Sequence, residues 1–241
     1  MMLVVDAGNS FIKWKLWREG CAEKTQRRVL EGSVPEELAA YAHNADVQLV
    51  LGSVANQQLE SQLQTLFAQR MQRMVTSSSC LGVKNAYAQP EKMGIDRWAA
   101  LLEAFHASGR QACCVFDLGT AATLDIVNDE GVHQGGYIVP GLRMMKSALL
   151  SSTDRVRFDQ VGEADNDGYG CNTAEAVHRG VQRMMESWVQ GEINRFRHRF
   201  SSAPVWLTGG DAGVIVGKLS VDNVSFCEDL VLDGLRRMAI E

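Results

Sequence analysis

No C-x-x-C pair, no basic surplus and no apolar stretch of membrane-spanning length occurs in this chain of 241 residues. Each absence removes a class of protein. The six cysteines form no disulfide framework, and the adjacent Cys113 and Cys114 would point to opposite faces of a strand, so free thiols in a reducing compartment are expected. Zinc is not indicated, because the five histidines show neither a pair at metal-ligand spacing nor a cysteine partner. A formal charge of −5 argues against a nucleic-acid partner, and the dense basic cluster Arg195, Arg197, His198 and Arg199 reads as a solvated helix face. Asp6 interrupts the first apolar run, so neither a signal segment nor a membrane span is expected, and the chain reads as cytoplasmic. Walker A and G-x-G-x-x-G motifs are also missing.

What is present is an ordinary globular composition, 46% hydrophobic and 22% charged, in a chain long enough for one large domain or two small ones. Its most informative feature is a repeated hairpin. "LVVDAGNSFIKWKLW" runs from an apolar strand into Asp6, turns through Gly8, Asn9 and Ser10, and resumes as an alternating strand carrying Lys13 and Lys15. "CVFDLGTAATLDIV" repeats the pattern with Asp117, Gly119 and Thr120. A single copy is explained by turn chemistry, in which glycine and asparagine adopt left-handed backbone and short polar side chains bond nearby amides. Two copies, one opening each half, point instead to duplicated domains, 1–110 and 111–241, with the boundary near "SGRQA" at 108–112. A turn of small residues can hold phosphate oxygens on its N–H groups, and a carboxylate beside it can hold hydrated Mg²⁺.

Periodicity predicts strands near 2–5, 11–17, 47–52, 113–116, 122–128, 134–138 and 204–208, and helices near 36–43, 56–70, 95–108, 141–150, 173–199 and 227–239. The longest helix carries Val177, Val181, Met184, Trp188, Ile193, Phe196 and Phe200, read as a stripe facing a core or a second subunit. "FDQVGEADNDGYGCNT" is acidic and glycine-rich and is expected as a surface loop that moves over a site.

A duplicated hairpin with helices following each set of strands is an α/β arrangement. It resembles the actin, hexokinase and Hsp70 superfamily, the ribonuclease H-like class in which two domains flank an active-site cleft and grip ATP from either side. Three further stretches narrow the likeness: "YAQPEKMGIDRW" with Tyr87, Gly94, Ile95, Asp96 and Arg97, then "GGYIVPG" at 135–141, then "GCNTAEAV" at 170–177. In this order, with "DAGNS" and "DLGTAAT", the chain resembles the type III pantothenate kinases, bacterial enzymes that phosphorylate pantothenate at the start of coenzyme A synthesis. The likeness spans residues 4–210. Departures are small: Ser10 stands where threonine is frequent, and Ala122 lies between Ala121 and Thr123.

The resemblance implies that Asp6, Ala7, Gly8, Asn9, Ser10, Phe11, Ile12 and Lys13, together with Thr120, hold ATP and its Mg²⁺. It implies pantothenate contacts from Tyr87, Gly94, Ile95, Asp96, Arg97 and Thr173, and a monovalent cation, potassium or ammonium, at Asp117. Asp96 is the expected general base, since a positioned carboxylate can take the attacking hydroxyl's proton. Arg97 is expected to grip the pantothenate carboxylate in a two-pronged bond. Competing readings make Asp96 a helix cap, Arg97 a surface residue, and Asn172 with Glu175 a capping box. "WLTGGDAG" at 206–213 is expected to border adenosine; Asp125, Asp129 and Asp211 receive no role.

A homodimer is expected from the long helix. Two rivals stand beside the kinase: another small-molecule kinase or phosphatase of the superfamily, and a regulatory or accessory protein that kept the fold without catalysis. The joint presence of Asp6, Asp96, Asp117 and Thr120 favours an enzyme.

Overall fold

The computed structural model describes residues 1–53, 57–151 and 168–241. It divides into two compact units that are not contiguous in sequence. The first gathers Met1–Val115, Asp125–Gly135 and Asp229–Glu241, and the second Phe116–Leu124 and Gly136–Glu228.

The first unit is built on a sheet of β1 (Met2–Ala7), β2 (Phe11–Arg18), β3 (Cys21–Ala22), β4 (Gln26–Val29), β5 (Gln48–Ser53) and β6 (Met71–Arg73), in the order β3-β2-β1-β5-β6 with β4 pairing β2. The β1–β2 pair is antiparallel, and β1–β5 and β5–β6 are parallel. Alternation along β1 decides which side is which. Leu3, Val5 and Ala7 join Ile12, Trp14, Leu49 and Leu51 in a core closed by Leu38 of α1 (Glu36–Ala39) and by Leu59, Leu63 and Phe67 of α2 (Gln57–Phe67). Val4 and Asp6 point to the other face. There the sheet meets α7 (Leu230–Ile240), which itself packs on α3 (Ile95–Ala107). Leu235 of α7 fills the space over Gly52, where a β-carbon would lie 2.7 Å from its methyl groups. Lys15 and Thr25 tie the start of α7 down through Asp229, each at 2.8 Å. A short hairpin of β7 (Ser79–Cys80) and β8 (Val83–Lys84) completes the unit.

A second sheet has the order β11-β10-β9-β12-β13, from β9 (Cys113–Leu118), β10 (Ala121–Val127), β11 (His133–Pro140), β12 (Val205–Thr208) and β13 (Val224–Phe226). With β4 set aside, both sheets show one order, third-second-first-fourth-fifth along the chain. The helices of the second unit are α4 (Leu142–Ser151), α5 (Thr173–Arg199) and α6 (Ala212–Val216). On α5 the buried residues are Val181, Met185, Val189, Ile193 and Phe196. The inward stripe therefore follows Met185 and Val189, and the expected Met184 is 63% exposed. Trp188 meets Phe116 edge-on at 5.6 Å.

The predicted strands and helices are present within a few residues. Five short strands (β3, β4, β6, β7 and β8), together with α6 and β13, were not anticipated; most are too short to show a period. Most of the segment expected as a surface loop, residues 158–167, lies outside the described residues.

Candidate active site

In the first unit, the opening acid closes β1 on the face away from the α1–α2 core. Asp6 is the register partner of Lys13 on β2 and of Gly52 on β5, so an acid and a base stand opposite one another at the strand end. The turn is held by Gly8 N–H donating to Phe11 O at 3.0 Å, and Ser10 O accepts from Leu30 N–H at 3.0 Å. Neither Gly8 nor Asn9 has a positive φ, and the same is true of Gly119 in the second hairpin. Left-handed backbone, expected at these turns, is not how they close. Beyond the turn, Ser53, the partner of Ala7, has a buried hydroxyl with no hydrogen-bond partner among the described residues.

Asp96 and Arg97 open α3. Gly94 is the N-cap and makes no side-chain cap bond, so Asp96 is not the cap; it lies in the first turn and its Oδ1 accepts from Arg97 N–H at 2.8 Å. Burial is the largest influence on the Asp96 carboxyl and pushes it above the ordinary carboxylate range; Asp125 adds to this, while the Arg97 N–H and the Arg97 charge oppose it.

Arg97 is 7% exposed, not a surface residue. Its Nε donates to Asp125 Oδ2 at 2.8 Å and its Nη2 to Asp125 Oδ1 at 2.6 Å, and Nη1 donates to the Tyr87 hydroxyl at 2.9 Å. The two-pronged edge expected to grip substrate is thus closed on a protein carboxylate. Burial works against the guanidinium charge, but the bonds and charge of Asp125 hold it firmly protonated. Asp125 also accepts from His133 Nε2 at 3.1 Å, and His133 stacks on half-buried Tyr87 with ring centroids 6.1 Å apart. Sequence reasoning left Asp125 without a role and did not single out His133. The usable signal was an acid inside the apolar strand "TLDIV", which must find a cation when buried.

The second unit holds the other turn. Gly119 N–H donates to Ala121 O at 3.1 Å, and Gly141 N–H donates to Thr120 O at 3.1 Å. Gly141 and Gly209 press against this turn: a β-carbon on Gly141 would lie 2.2 Å from Gly119 O, and one on Gly209 would lie 2.5 Å from Asp117 Oδ1. Asp211 N–H donates to Leu118 O at 2.9 Å, so the "TGGD" turn is moored to the hairpin. Gly135, by contrast, has φ +89° with open space around it, so its role is conformational.

Thr173 is exposed at the first position of α5, beside a complete capping box. Glu175 N–H donates to Asn172 Oδ1 at 2.9 Å, and the Glu175 carboxylate accepts from Asn172 Nδ2 at 2.9 Å and Cys171 N–H at 3.1 Å.

Among the described residues there is no group of three or more His, Cys, Asp or Glu side chains able to hold a metal. The Ser53 hydroxyl beside the first turn, buried without a hydrogen-bond partner among the described residues, fits a bound oxygen ligand there. No helix among the described residues is long and apolar enough to cross a membrane.

Two sheets of one strand order, each led by an Asp-x-Gly hairpin, define the actin/hexokinase/Hsp70 class of phosphotransferase and ATPase folds. Solved structures agree on the fold: a protein of Campylobacter jejuni assigned to the Baf family of transcriptional activators, at 19% identity and TM-score 0.62, covers 98% of this chain and 96% of its own. The activator of 2-hydroxyisocaproyl-CoA dehydratase from Clostridium difficile, with bound ADPNP, does so at 9% identity and TM-score 0.53, covering 99% and 94%. A family model for type III pantothenate kinase matches residues 2–195. Type III pantothenate kinases of Ectopseudomonas mendocina and Azotobacter vinelandii are 35% and 34% identical, each over 98% of this chain and 97% of their own length. The chain belongs to the type III pantothenate kinase family. It is a phosphotransferase that uses ATP and phosphorylates pantothenate to 4′-phosphopantothenate, the first step of coenzyme A biosynthesis.

Proposed function

We propose that Asp96 is the general base of this reaction and that the two hairpin turns divide the work on ATP. One observation carries the assignment of the base: the Asp96 carboxyl is crowded by protein beside the Arg97–Asp125 pair, which raises its affinity for a proton. A carboxylate held above its ordinary range accepts the hydroxyl proton more readily as the new P–O bond forms. Little other covalent chemistry is needed, since phosphoryl transfer rests on alignment and charge neutralisation.

The run Asp6 to Lys13, with Thr120, binds the nucleotide in this reading. Backbone N–H groups of the turn hold phosphate oxygens, Lys13 offsets their charge, and Asp6 holds Mg²⁺ through water. Bound there, Mg²⁺ would supply neutralisation of the phosphate charge. Asp117 holds potassium or ammonium in this reading; its carboxylate is fixed in place by the close packing of Gly209 against it and the Leu118 backbone. Tyr87, Gly94, Ile95, Arg97 and Thr173 contact pantothenate.

A homodimer is supported by exposed apolar side chains in the second unit: Tyr137 and Ile138 on the edge strand β11, Met144 on α4 and Met184 on α5. The halves 1–110 and 111–241 are read as products of one duplication, supported by their shared strand order. The enzyme is assigned to the cytoplasm.

ADP release measured with pantothenate, in the presence and absence of potassium, tests the whole assignment. Pantothenate-dependent release that needs potassium is expected; release without pantothenate, or none at all, would overturn it.

A further inference from the structure

Arg97, Asp125, His133 and Tyr87 form a closed set of buried or half-buried groups whose bonds leave little slack. A guanidinium has five N–H donors. Three are committed here, two to Asp125 and one to Tyr87, so at most two remain for any ligand. Asp125 is 2% exposed and His133 1% exposed, so neither reaches a substrate through solvent. Ala86 N–H donates to His133 Nδ1 at 3.5 Å, a long contact that favours the tautomer with hydrogen on Nε2, the nitrogen facing Asp125. The chain of bonds therefore runs from Ala86 through His133 and Asp125 to Arg97, and from Arg97 to Tyr87.

We propose that Asp125, anchored by His133, is a positioning residue for the acceptor site: it fixes the plane of the Arg97 guanidinium and limits that side chain to two N–H groups for the pantothenate carboxylate. This rests on the assignment of Arg97 and Tyr87 to the acceptor. Single-site removal of Asp125 would let Arg97 turn and leave its charge uncompensated. A substrate carboxylate would then meet a mobile cation in place of an oriented one, and the loss falls on acceptor binding.

The same geometry couples Asp125 to the base. The charged groups that bear on Asp96 are Arg97 from its own helix and Asp125 from β10. Asp125 opposes ionisation of Asp96 and Arg97 favours it. Replacing Asp125 by a neutral group removes the first influence and unmasks the second, so Asp96 loses its proton at lower pH.

The test compares the wild type, Asp125→Asn and His133→Leu. Asp125→Asn is expected to raise the pantothenate KM by about ten- to a hundredfold, the range of hydrogen bonds to charged groups, with the ATP KM within about twofold. The acid limb of its kcat profile is expected to move to lower pH. His133→Leu is expected to raise the pantothenate KM in the same direction by less, which keeps the test available if Asp125→Asn does not fold. Unchanged pantothenate KM and an unmoved limb in a folded variant overturn the proposal, as do equal rises in both KM values. A readout without turnover separates this from the kinase assignment: the Arg97 Nε–H, bonded to Asp125 at 2.8 Å, is expected to exchange slowly with solvent in the wild type and faster in both variants by ¹⁵N-resolved NMR. If the wild type used no pantothenate, that assignment would fall, whereas an unaltered Arg97 resonance would overturn the positioning role itself.

Discussion

Gly209 leaves no room for a β-carbon beside Asp117: it would lie 2.5 Å from Oδ1, on a residue whose φ is +93°. Gly209→Ala therefore combines a clash with left-handed strain costing on the order of 1–3 kcal/mol. The melting temperature is expected to fall by several degrees, and half-activation by potassium to need more salt as the Asp117 carboxylate is displaced. Thermal melts with potassium titrations of activity check both; a change in melting alone would separate Asp117 from the cation.

Asp96→Asn keeps size and leaves the N-cap at Gly94 untouched, but an amide takes no proton. General-base assistance contributes about 10² to 10⁴ in rate, so kcat is expected to fall within that range with ATP binding little changed. Stability should move the other way. The Asp96 carboxyl is raised in the folded state, so its contribution is fully present below the ordinary carboxylate range and is lost as pH rises through the folded-state value. The variant should match the wild type at acid pH and equal or exceed it near neutrality, as melts across pH would show. A pantothenate KM effect with intact kcat would make Asp96 a binding residue only.

Salt identity tests the second turn. Activity is expected to collapse in sodium or choline buffers and return with potassium or ammonium, and Asp117→Asn should alter that dependence more than the substrate dependence. Equal rates in four salts at matched ionic strength would remove the cation from the mechanism.

The crossing of α3 and α7 depends on Gly234, where a β-carbon would stand 2.0 Å from Ala99 O. Alanine gains about 1 kcal/mol over glycine in a helix interior. Overpacking at a backbone contact typically costs about 1–3 kcal/mol, so the clash wins. Gly234→Ala should lower the urea midpoint with little change in slope.

Sedimentation at micromolar concentration is expected to show a dimer, and Met184→Glu on the exposed face of α5 to shift it toward monomer. A fully active wild-type monomer would refute the dimer reading.

The two hairpins were legible because Asp-x-Gly turns are local signals, and long helices were legible because their period repeats. The Asn172–Glu175 box was readable for the same reason. Pairings remote in sequence were not: that Arg97 spends its fork on Asp125 depends on which strand packs beside α3, and no spacing rule supplies this. The stripe on α5 drifted by one residue because Met184 and Met185 are equally apolar, and only packing selects the inward one. The turn glycines also misled, since neither Gly8 nor Gly119 takes the left-handed backbone that such turns suggest.

The return of α7 to the first unit bears on how the chain is made. Residues 116–228 are synthesised between Val115 and the segment Asp229–Glu241 that lies against α3 and β5. At about 5–20 residues per second this is a wait of about 5–20 s, during which the apolar side of α3 lacks its own cover. The unit begun first on the ribosome is thus finished last, and until α7 emerges the faces of α3, β1 and β5 that it covers are without that partner. A slow codon stretch before residue 229 would lengthen that exposure, and with it the chance of aggregation, without altering the mature enzyme.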